Sequence, residues 1–212
     1  MNFHLCPNGI PVRKRILDLI LTVPGLIVLI PVYFVIGLMI LITDGPPITF
    51  RQIRPGYRGK LFKVIKFRTM KDVRDGQNDL LPDELRVTRL GLFLRTTSLD
   101  ELPELINILA GEMSLVGPRP LLVQYLGRYS PEQSRRHLVL PGLTGWAQIH
   151  GRNVLSWEEK FSLDVWYVDH WSFRLDIKII FLTIWKVLKR EGISPANQMT
   201  TEEFMGNQDN SN

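Results

Sequence analysis

The sequence has few of the residues that build disulfide or metal scaffolds. Its 212 residues include one cysteine, Cys6, which excludes an internal disulfide and cannot by itself make a cysteine-based zinc site. The four histidines, at positions 4, 137, 150 and 170, have no metal-site spacing. The patterns GxxxxGK[ST] and GxGxxG are also missing. The sequence therefore gives no support to P-loop or Rossmann nucleotide chemistry.

Acidic residues are scarce in the first third of the chain. Residues 1–71 contain 11 lysines and arginines against two acids, Asp18 and Asp44, which gives +9. Residues 72–212 contain the other 15 bases and 19 acids, which gives −4 and a formal total of +5. The basic excess is therefore local, and it predicts one anion-facing zone rather than a uniformly basic coat for nucleic acid. With 45% hydrophobic and 22% charged residues, the chain fits one ordinary domain with a core.

Charge is absent altogether from residues 19–42. This run of 24 residues is long enough to be a transmembrane candidate, and no small-residue cleavage site of a signal peptide follows it. Pro24 and Pro31 interrupt the run, and basic residues flank both ends, at 13–15 and 51–60. Because prolines kink helices and basic flanks stay cytoplasmic, the sequence favours a re-entrant hairpin folded back at Pro31. The alternative is a single span with the amino terminus outside.

Periodicity and turn signals predict an α+β chain, mostly helical, with a small β-hairpin. The runs ITFRQI and KLFKVIKF, separated by the Pro-Gly turn of RPGYRG, predict the hairpin over 48–70. Helix signals occur at 98–110 with a stop at Gly111, at Ser130-Pro131, at 157–170 and from Ser172 to about Arg190. The apolar stripe of the last helix fits an interfacial membrane helix and an ordinary core helix equally well. The tail from 198 is polar and is predicted to be flexible.

Two short segments carry candidate chemistry. Asp100 and Glu101 are adjacent acids at a helix start, where the positive end of the helix favours anions. Ser98 and Glu101 also fit a capping box, whereas Pro103 fits better a helix that starts near Asp100, so capping and chemistry both remain open. In Gly117-Pro118-Arg119-Pro120 two prolines restrict the backbone around one arginine. That arrangement suits bidentate phosphate binding, and the alternative is a rigid turn with a solvent-facing arginine.

Eight segments, in this order, closely resemble a known family. They are KRILDLIL (14–21), the proline-interrupted apolar segment, RPG (54–56), KFRTM (66–70), SLDELPELINIL (98–109), GEMSLVGPRP (111–120), PGLTGWAQIHGRN (141–153) and LDIKII (175–180). Together they resemble the bacterial sugar transferases, and more narrowly the small monotopic phosphoglycosyl transferases. The resemblance covers roughly residues 10–200.

The resemblance implies an enzyme of the cytoplasmic face of the bacterial inner membrane. Such an enzyme moves a phosphosugar from a UDP-sugar to a polyprenol (undecaprenyl) phosphate and releases UMP, which initiates glycoconjugate assembly. It implies Mg²⁺ as cofactor and a ping-pong reaction through a phosphosugar–aspartate intermediate. Direct transfer in a ternary complex is the alternative within this class. Membrane lipids and a possible homo-oligomer are the other implied partners, and nucleic acid is not one.

The resemblance also assigns residues and boundaries. Asp100 is implied as the nucleophile, and Glu101 as the residue that helps to hold the metal. The residues predicted to contact the substrate are Lys66, Arg68, Arg95, Arg119, Arg152 and Asp176. The predicted organisation is a re-entrant anchor over 1–45, kinked at Pro24 and Pro31, a catalytic domain over 46–197 and a tail over 198–212.

Two other classes of protein are alternatives to this enzyme. A membrane-tethered, non-enzymatic binder of anionic lipid or nucleic acid explains the basic residues of 51–71. It leaves the SLDEL and GPRP segments without a role. An inactive relative that acts as a scaffold is disfavoured by the intact Asp-Glu pair.

Overall fold

The fold is mixed, largely helical, with two small sheets. The computed structural model describes residues 9–75, 79–151, 155–189 and 203–206. The elements in chain order are α1 (Val12–Thr43), β1 (Thr49–Pro55), β2 (Leu61–Phe67), α2 (Asp83–Arg86), α3 (Arg89–Thr96), α4 (Glu104–Ala110), β3 (Ser114–Val116), α5 (Pro131–Ser134), β4 (Gly142–Thr144), α6 (Trp146–Gly151), α7 (Trp157–His170) and α8 (Phe173–Lys189). The predicted mixture of helices with a small β-hairpin is confirmed.

The long apolar segment forms α1, which among the described helices is the one long and apolar enough to cross a membrane. It is helical throughout, including at Pro24 and Pro31, so the predicted hairpin at Pro31 is not confirmed. Both prolines lie on the exposed face of the helix. The apolar side chains of that face, such as Val28 at 74% exposure, have no cover from the described chain.

The opposite face of α1 packs along its whole length on the rest of the molecule. Near its start, Lys14 Nζ donates to the carbonyl of Val116 at 2.9 Å, and Arg15 donates to the carbonyls that end α4. Such carbonyls are unpaired in a helix and attract cations. Near its end, Ile36 and Ile40 are buried in a core with Phe67 and Leu94. The helix therefore contacts the same body at both ends.

The predicted hairpin is confirmed as β1 paired antiparallel with β2, from Thr49 opposite Phe67 to Pro55 opposite Leu61. On the inner face of β2, Phe62 and Val64 form a core with Leu105 and Ile108 of α4. The side chain of Asn107, fully buried, closes the free edge of β2. It accepts from the N–H of Ile65 and donates to the carbonyl of Lys63. The hairpin is thereby fixed to α4, next to the Asp-Glu pair.

Strands β3 and β4 form a short parallel pair in which Ser114 is opposite Gly142 and Val116 is opposite Thr144. The backbones that follow these two strands touch where they cross, and glycines leave the room for this contact. A Cβ atom on Gly142 would lie 2.1 Å from the nitrogen of Gly117, and one on Gly145 would lie 2.2 Å from the oxygen of Gly117. The crossing sets the Pro118-Arg119 segment against the start of α6.

The helix boundaries confirm most of the sequence signals and correct one. Helices α7 and α8 occupy the predicted ranges, and Gly111 ends α4 with φ +82°. The capping box at Ser98 is wrong, because this residue has φ +57° and its side chain caps nothing. Residues Leu99–Glu101 form a 3₁₀ turn, and α4 starts after Pro103. Proline has no N–H, so it precedes the first helical turn.

The described part of the tail does not fit the prediction of a flexible 198–212 segment. Phe204 is 4% exposed and packs against Tyr125 and Phe161. A large aromatic side chain buries enough apolar surface to hold a short segment. In α8, Asp176 and Ile179 are buried, while the side chains of Phe181, Ile184 and Trp185 are exposed.

Candidate functional site

A cavity of about 850 Å³ opens between the hairpin, the 3₁₀ turn and the start of α7. Asp100 and Glu101 line it. Four of the six predicted substrate contacts also line it: Lys66, Arg68, Arg95 and Arg119. Arg152 lies outside the described residues, and Asp176 is not part of the lining. The structure thus brings together the acid pair and four cations from segments as far apart as residues 66 and 119.

Asp100 is a buried carboxylate with 9% exposure on the 3₁₀ turn. None of the described residues donates a hydrogen bond to it, although Lys66, Arg119 and Arg95 act on it electrostatically. Burial and the neighbouring charge of Glu101 raise its pKa to about 6. At neutral pH it is still mostly ionised, and within the described ranges no cation is hydrogen-bonded to its oxygens.

Glu101, the next residue, has the opposite surroundings. Its Oε1 accepts from Lys66 Nζ at 2.8 Å, and both of its oxygens accept from the guanidinium of Arg119. Burial acts to raise the pKa of Glu101, but Arg119 and Lys66 outweigh it and hold that pKa well below its usual range. Glu101 in turn raises the pKa of the Arg119 guanidinium. This carboxylate therefore stays charged at any pH near neutrality.

A third acid, Glu104, was not singled out from the sequence. It is 3% exposed, and Lys66 Nζ lies 3.1 Å from its Oε1. Burial raises its pKa to about 7, although Lys66 opposes the shift. Its spacing of three residues from Glu101 and four from Asp100 was the available signal, because such positions share a helix face.

Arg119 is held from behind by a buried ion pair. Arg136 donates to the carbonyl of Arg119 at 2.8 Å and to Asp164 Oδ2 at 2.7 Å, and both Arg136 and Asp164 are buried. Because Arg136 fixes the backbone of the Pro-Arg-Pro segment, the guanidinium of Arg119 is presented in one place. Arg136 and Asp164 gave no signal in the sequence, since their pairing depends on the packing of α7.

Arg54, Arg68 and Arg95 also line the cavity, with different bonding. Arg95 donates through Nε to Thr69 Oγ1 at 3.0 Å, and Arg68 donates to the carbonyls of residues 44–46, just after α1. Arg54, which was not among the predicted substrate contacts, has its pKa lowered to about 10 by burial and by Arg119. Arg68 thus also ties the end of the membrane segment to the cavity.

Asp176 belongs to a separate buried cluster. Its carboxylate accepts from Lys14 Nζ at 2.7 Å, from the hydroxyl of Tyr167 at 2.7 Å and from Trp171 Nε1 at 3.0 Å. The side chains of Lys14 and Asp176 are 3% and 1% exposed. The structure therefore places Asp176 where α8 and α7 hold the start of α1.

The acid pair meets the modest demands of Mg²⁺, which binds proteins through one or two carboxylates and takes further oxygens from substrate phosphates and water. Within the described ranges no three His, Cys, Asp or Glu side chains are grouped as a metal site. A carboxylate has about four acceptor positions, and Lys66 and Arg119 make three bonds to Glu101. One position on Glu101 and the oxygens of Asp100 remain for a cation.

Comparison with known proteins places the chain in a family. The sequence model of the bacterial sugar transferases matches residues 10–190. The chain belongs to this family. This sugar transferase is 59% identical to the uncharacterized sugar transferase EpsL of Bacillus subtilis, over 78% of its own length and 82% of that protein. It is 42% identical to a UDP-glucose:undecaprenyl-phosphate glucose-1-phosphate transferase of Klebsiella pneumoniae and 39% identical to a UDP-galactose-lipid carrier transferase of Erwinia amylovora. Each of these two matches covers 84% of the present chain but only 41% of the longer relative.

Proposed function

We propose that this sugar transferase moves a phosphosugar from a UDP-sugar to a polyprenol phosphate, with Asp100 as the nucleophile. The observation that carries the proposal is the state of Asp100, a buried carboxylate to which no described residue donates a hydrogen bond, beside Lys66, Arg95 and Arg119. The names of the relatives support the two substrates, because those proteins are described as acting on UDP-sugars and lipid carriers.

In the first step an oxygen of Asp100 attacks the phosphorus that bears the sugar. The bond from that phosphorus to the bridging oxygen breaks, and UMP leaves with the electron pair. A carboxylate is a suitable acceptor of a phosphoryl group. Because Asp100 is desolvated and forms no ion pair with any residue that the structure describes, little has to be removed from it before attack.

Positive charge must offset the repulsion between this carboxylate and the diphosphate. Arg119 and Lys66 form ion pairs with Glu101, and Arg95 lines the same cavity. Each of these cations can therefore donate to phosphate oxygens of a bound diphosphate. Mg²⁺, held by Glu101 with Asp100 nearby, would supply further charge neutralisation when bound. Glu101 thus has two roles, to position the cations and to hold the metal.

In the second step a phosphate oxygen of the polyprenol phosphate attacks the same phosphorus. The bond to Asp100 breaks, the carboxylate is regenerated and the polyprenyl-diphosphate-sugar leaves. This step requires a lipid phosphate to reach a polar cavity. Pro47 and Phe50, just after the membrane segment, line that cavity, which offers the lipid a short path from the bilayer.

The contacts of α1 support a re-entrant anchor on one face of the membrane. Lys14 near the start of α1 and Ile40 near its end both contact the domain that follows the helix. A helix that spanned the bilayer would put its first turn on the side opposite this domain and would break the Lys14 contact. A proline ring clashes with the preceding turn and opens the helix on its own face. Pro24 and Pro31 both lie on the exposed face, so they would bend the axis toward the domain.

The same contacts support a cytoplasmic location. The basic residues before and after the apolar run would lie together on the cytoplasmic side of the inner membrane. The catalytic portion, residues 46–197, then sits at the lipid surface with its cavity open to soluble UDP-sugar.

Asp100→Asn tests the nucleophile. We expect this variant, purified in detergent and with an unchanged unfolding temperature, to release no UMP from a UDP-sugar in the presence of Mg²⁺ and polyprenol phosphate. The control Asp169→Asn changes an exposed acid that pairs with Arg135 on the surface, and it should keep full activity. Near-normal turnover of Asp100→Asn would remove Asp100 from this role.

Incubation with a UDP-sugar alone separates the ping-pong route from direct transfer. The ping-pong route predicts one equivalent of UMP and a phosphosugar mass on the peptide that contains Asp100. An active enzyme that shows neither would favour direct transfer in a ternary complex. A panel of UDP-sugars in the full assay identifies the sugar.

A further inference from the structure

Residues 203–206, near the C-terminus, pack against the domain, and Phe204 belongs to an aromatic cluster. The ring of Phe204 lies 4.9 Å from that of Phe161 and 5.7 Å from those of Tyr125 and Trp157, measured between centroids. Phe204 is 4% exposed, whereas the next residue, Met205, is 75% exposed. One side chain of the segment is therefore inserted and its neighbour is not.

Polar contacts fix the segment in one register. Glu203 Oε1 accepts from Arg128 and from Gln124, both at 2.7 Å. The carbonyl of Phe204 accepts from Arg128, and its N–H donates to the hydroxyl of Tyr125 at 3.3 Å. These bonds involve both the backbone and the side chains of the segment, so its seat is specific rather than a chance apolar contact.

The aromatic cluster lies directly behind residues that line the active-site cavity. Trp157, Leu121 and Leu122 pack against it on one side and line the cavity on the other. Lys160 also lines the cavity and sets its ammonium 4.6 Å from the centre of the Trp157 ring. We name Leu121, Leu122, Trp157 and Lys160 the aromatic wall. Phe204 lies behind this wall and, among the described residues, touches no group assigned to the reaction.

The aromatic wall stands away from the contact between α7 and the start of α1. Trp157 begins α7, and Tyr167, ten residues later, is the residue of that helix that accepts from Lys14 of α1. Ten helical residues span about 15 Å. A planar ring with apolar neighbours and one ammonium suits a sugar ring or a base that stacks while its polar groups reach the cation. The wall therefore suits the soluble substrate better than the lipid.

We propose that Glu203 and Phe204 form a positioning element for the sugar-nucleotide donor, and that Phe204 holds the aromatic wall in its donor-binding place. The inference rests on the proposed function, since it names the part of that site which the tail supports. Without the Phe204 ring, Trp157 loses its backing and can turn away from the donor. The groups around Asp100 contact neither Phe204 nor Glu203, so the chemical step is preserved.

Phe204→Ala, compared with the exposed control Met205→Ala, tests the proposal in the full chain with the UDP-sugar that the panel identifies. We expect Phe204→Ala to raise the KM for the UDP-sugar about tenfold, with kcat and the KM for polyprenol phosphate within about twofold of the parent. Phe204→Leu, which keeps most of the apolar volume, should recover much of the lost affinity. Met205→Ala should match the parent.

The outcomes distinguish failure of the positioning role of Phe204 from failure of the proposed function. An active parent with an unchanged KM in Phe204→Ala overturns the positioning role and leaves the proposed function intact. Equal effects on kcat and on both KM values, or a loss that only follows unfolding, also overturn it, because they indicate a merely structural residue. A parent that releases UMP from no UDP-sugar removes the proposed function and this inference with it.

Discussion

At the scale of single residues, Asp100 and Glu101 are neighbours with opposite electrostatic surroundings. Burial raises the pKa of Asp100 to about 6, while Arg119 and Lys66 hold that of Glu101 far below its usual value. Surroundings that push two pKa values apart suit two different roles, and we propose that Asp100 reacts while Glu101 holds charge. The identity of the residues alone does not make this distinction, because Asp and Glu have similar intrinsic pKa values.

Asp176 gives a prediction about stability. Asp176→Asn leaves the ammonium of Lys14 buried without a counter-charge, and breaking such a pair costs about 3–5 kcal/mol. We expect a clear drop in the midpoint of thermal unfolding in detergent, followed by tryptophan fluorescence, and an unchanged KM for the UDP-sugar. The double variant Lys14→Met with Asp176→Asn should recover part of the loss. Normal stability with a raised KM would instead assign Asp176 to substrate binding.

His137 predicts a pH dependence of stability. Burial and nearby Arg136 lower its pKa from 6.5 to about 4, and its Nδ1 contacts the carbonyl of Gly56 at 3.2 Å. The unfolded chain therefore binds a proton between pH 6.5 and 4 that the folded chain does not, so stability falls as the pH falls through this window. The shift corresponds to about 3 kcal/mol at most.

The parent and His137→Asn, whose amide can still donate to Gly56, are compared by unfolding at pH 7, 5.5 and 4.5. The difference between the two proteins isolates this histidine from the acids that titrate in the same range. We expect the parent to lose more stability than the variant on acidification. Parallel loss in both proteins would rule out a contribution from His137.

At the scale of elements, the crossing of the loops after β3 and β4 is the feature that places Arg119. A Cβ atom on Gly145 would meet the oxygen of Gly117 at 2.2 Å, and backbone cannot move aside as a side chain can. We expect Gly145→Ala to displace the segment that carries Arg119 and to lower kcat at least tenfold, since small displacements of positioning groups are costly.

Gly127→Ala is the control for Gly145→Ala, because a Cβ atom on Gly127 would meet nothing within 4 Å. It should keep parental activity and parental stability. UMP release under saturating substrates is the measurement for both variants. Full activity of Gly145→Ala would show that the crossing tolerates a methyl group and that Arg119 is placed by other contacts.

Local sequence signals predicted the elements better than their assembly. The hairpin followed from its β-rich runs around Pro-Gly, and α4 was limited by Pro103 and Gly111, because these signals act within a few residues. The capping box at Ser98 failed because the backbone of that residue is left-handed, which no short pattern showed.

Long-range pairs were beyond the same reasoning. Arg136 meets Asp164, and Lys14 meets Asp176, only after α7 and α8 have packed, and charged residues in the sequence carry no mark of their burial. Local patterns singled out the acid pair and Arg119, and the resemblance of whole motifs gave them their expected roles. Glu104 and Phe204 were missed, although Glu104 had the spacing of a shared face and Phe204 stood alone in a polar tail.

At the scale of the whole molecule, the uneven charge has a structural counterpart. The basic first third contains α1 and the hairpin, and the hairpin forms one side of the cavity. The acidic remainder supplies Asp100 and Glu101 to the lining, and Glu104 lies beside Lys66. Lys66 joins the two parts, because it belongs to the hairpin and bonds to both glutamates. Bases near the membrane segment attract anionic headgroups at about 1 kcal/mol each. The same part of the chain can therefore meet lipid and substrate phosphate together.

The membrane topology is the last prediction, and the single native cysteine allows its test. Cys6 precedes α1, so the re-entrant arrangement places it on the cytoplasmic side and a span places it outside. We expect a membrane-impermeant maleimide to leave Cys6 unlabelled in intact cells and to label it in inverted vesicles. A Cys6→Ser variant with Met205→Cys provides a cysteine that the proposed topology assigns to the cytoplasmic side.

The two prolines decide how firmly this topology is built in. Pro24→Ala with Pro31→Ala restores the backbone donors that the prolines lack and removes the clashes that bend the axis. A straight apolar helix of this length matches the bilayer, so a fraction of the double variant should cross it and expose Cys6 to the outside reagent. That fraction should also lose activity, because Lys14 and Arg15 would then be parted from Val116 and Ile108. Labelling of the parent in intact cells would contradict the re-entrant anchor, and an unlabelled, fully active double variant would show that the contacts of α1 hold it in place without the prolines.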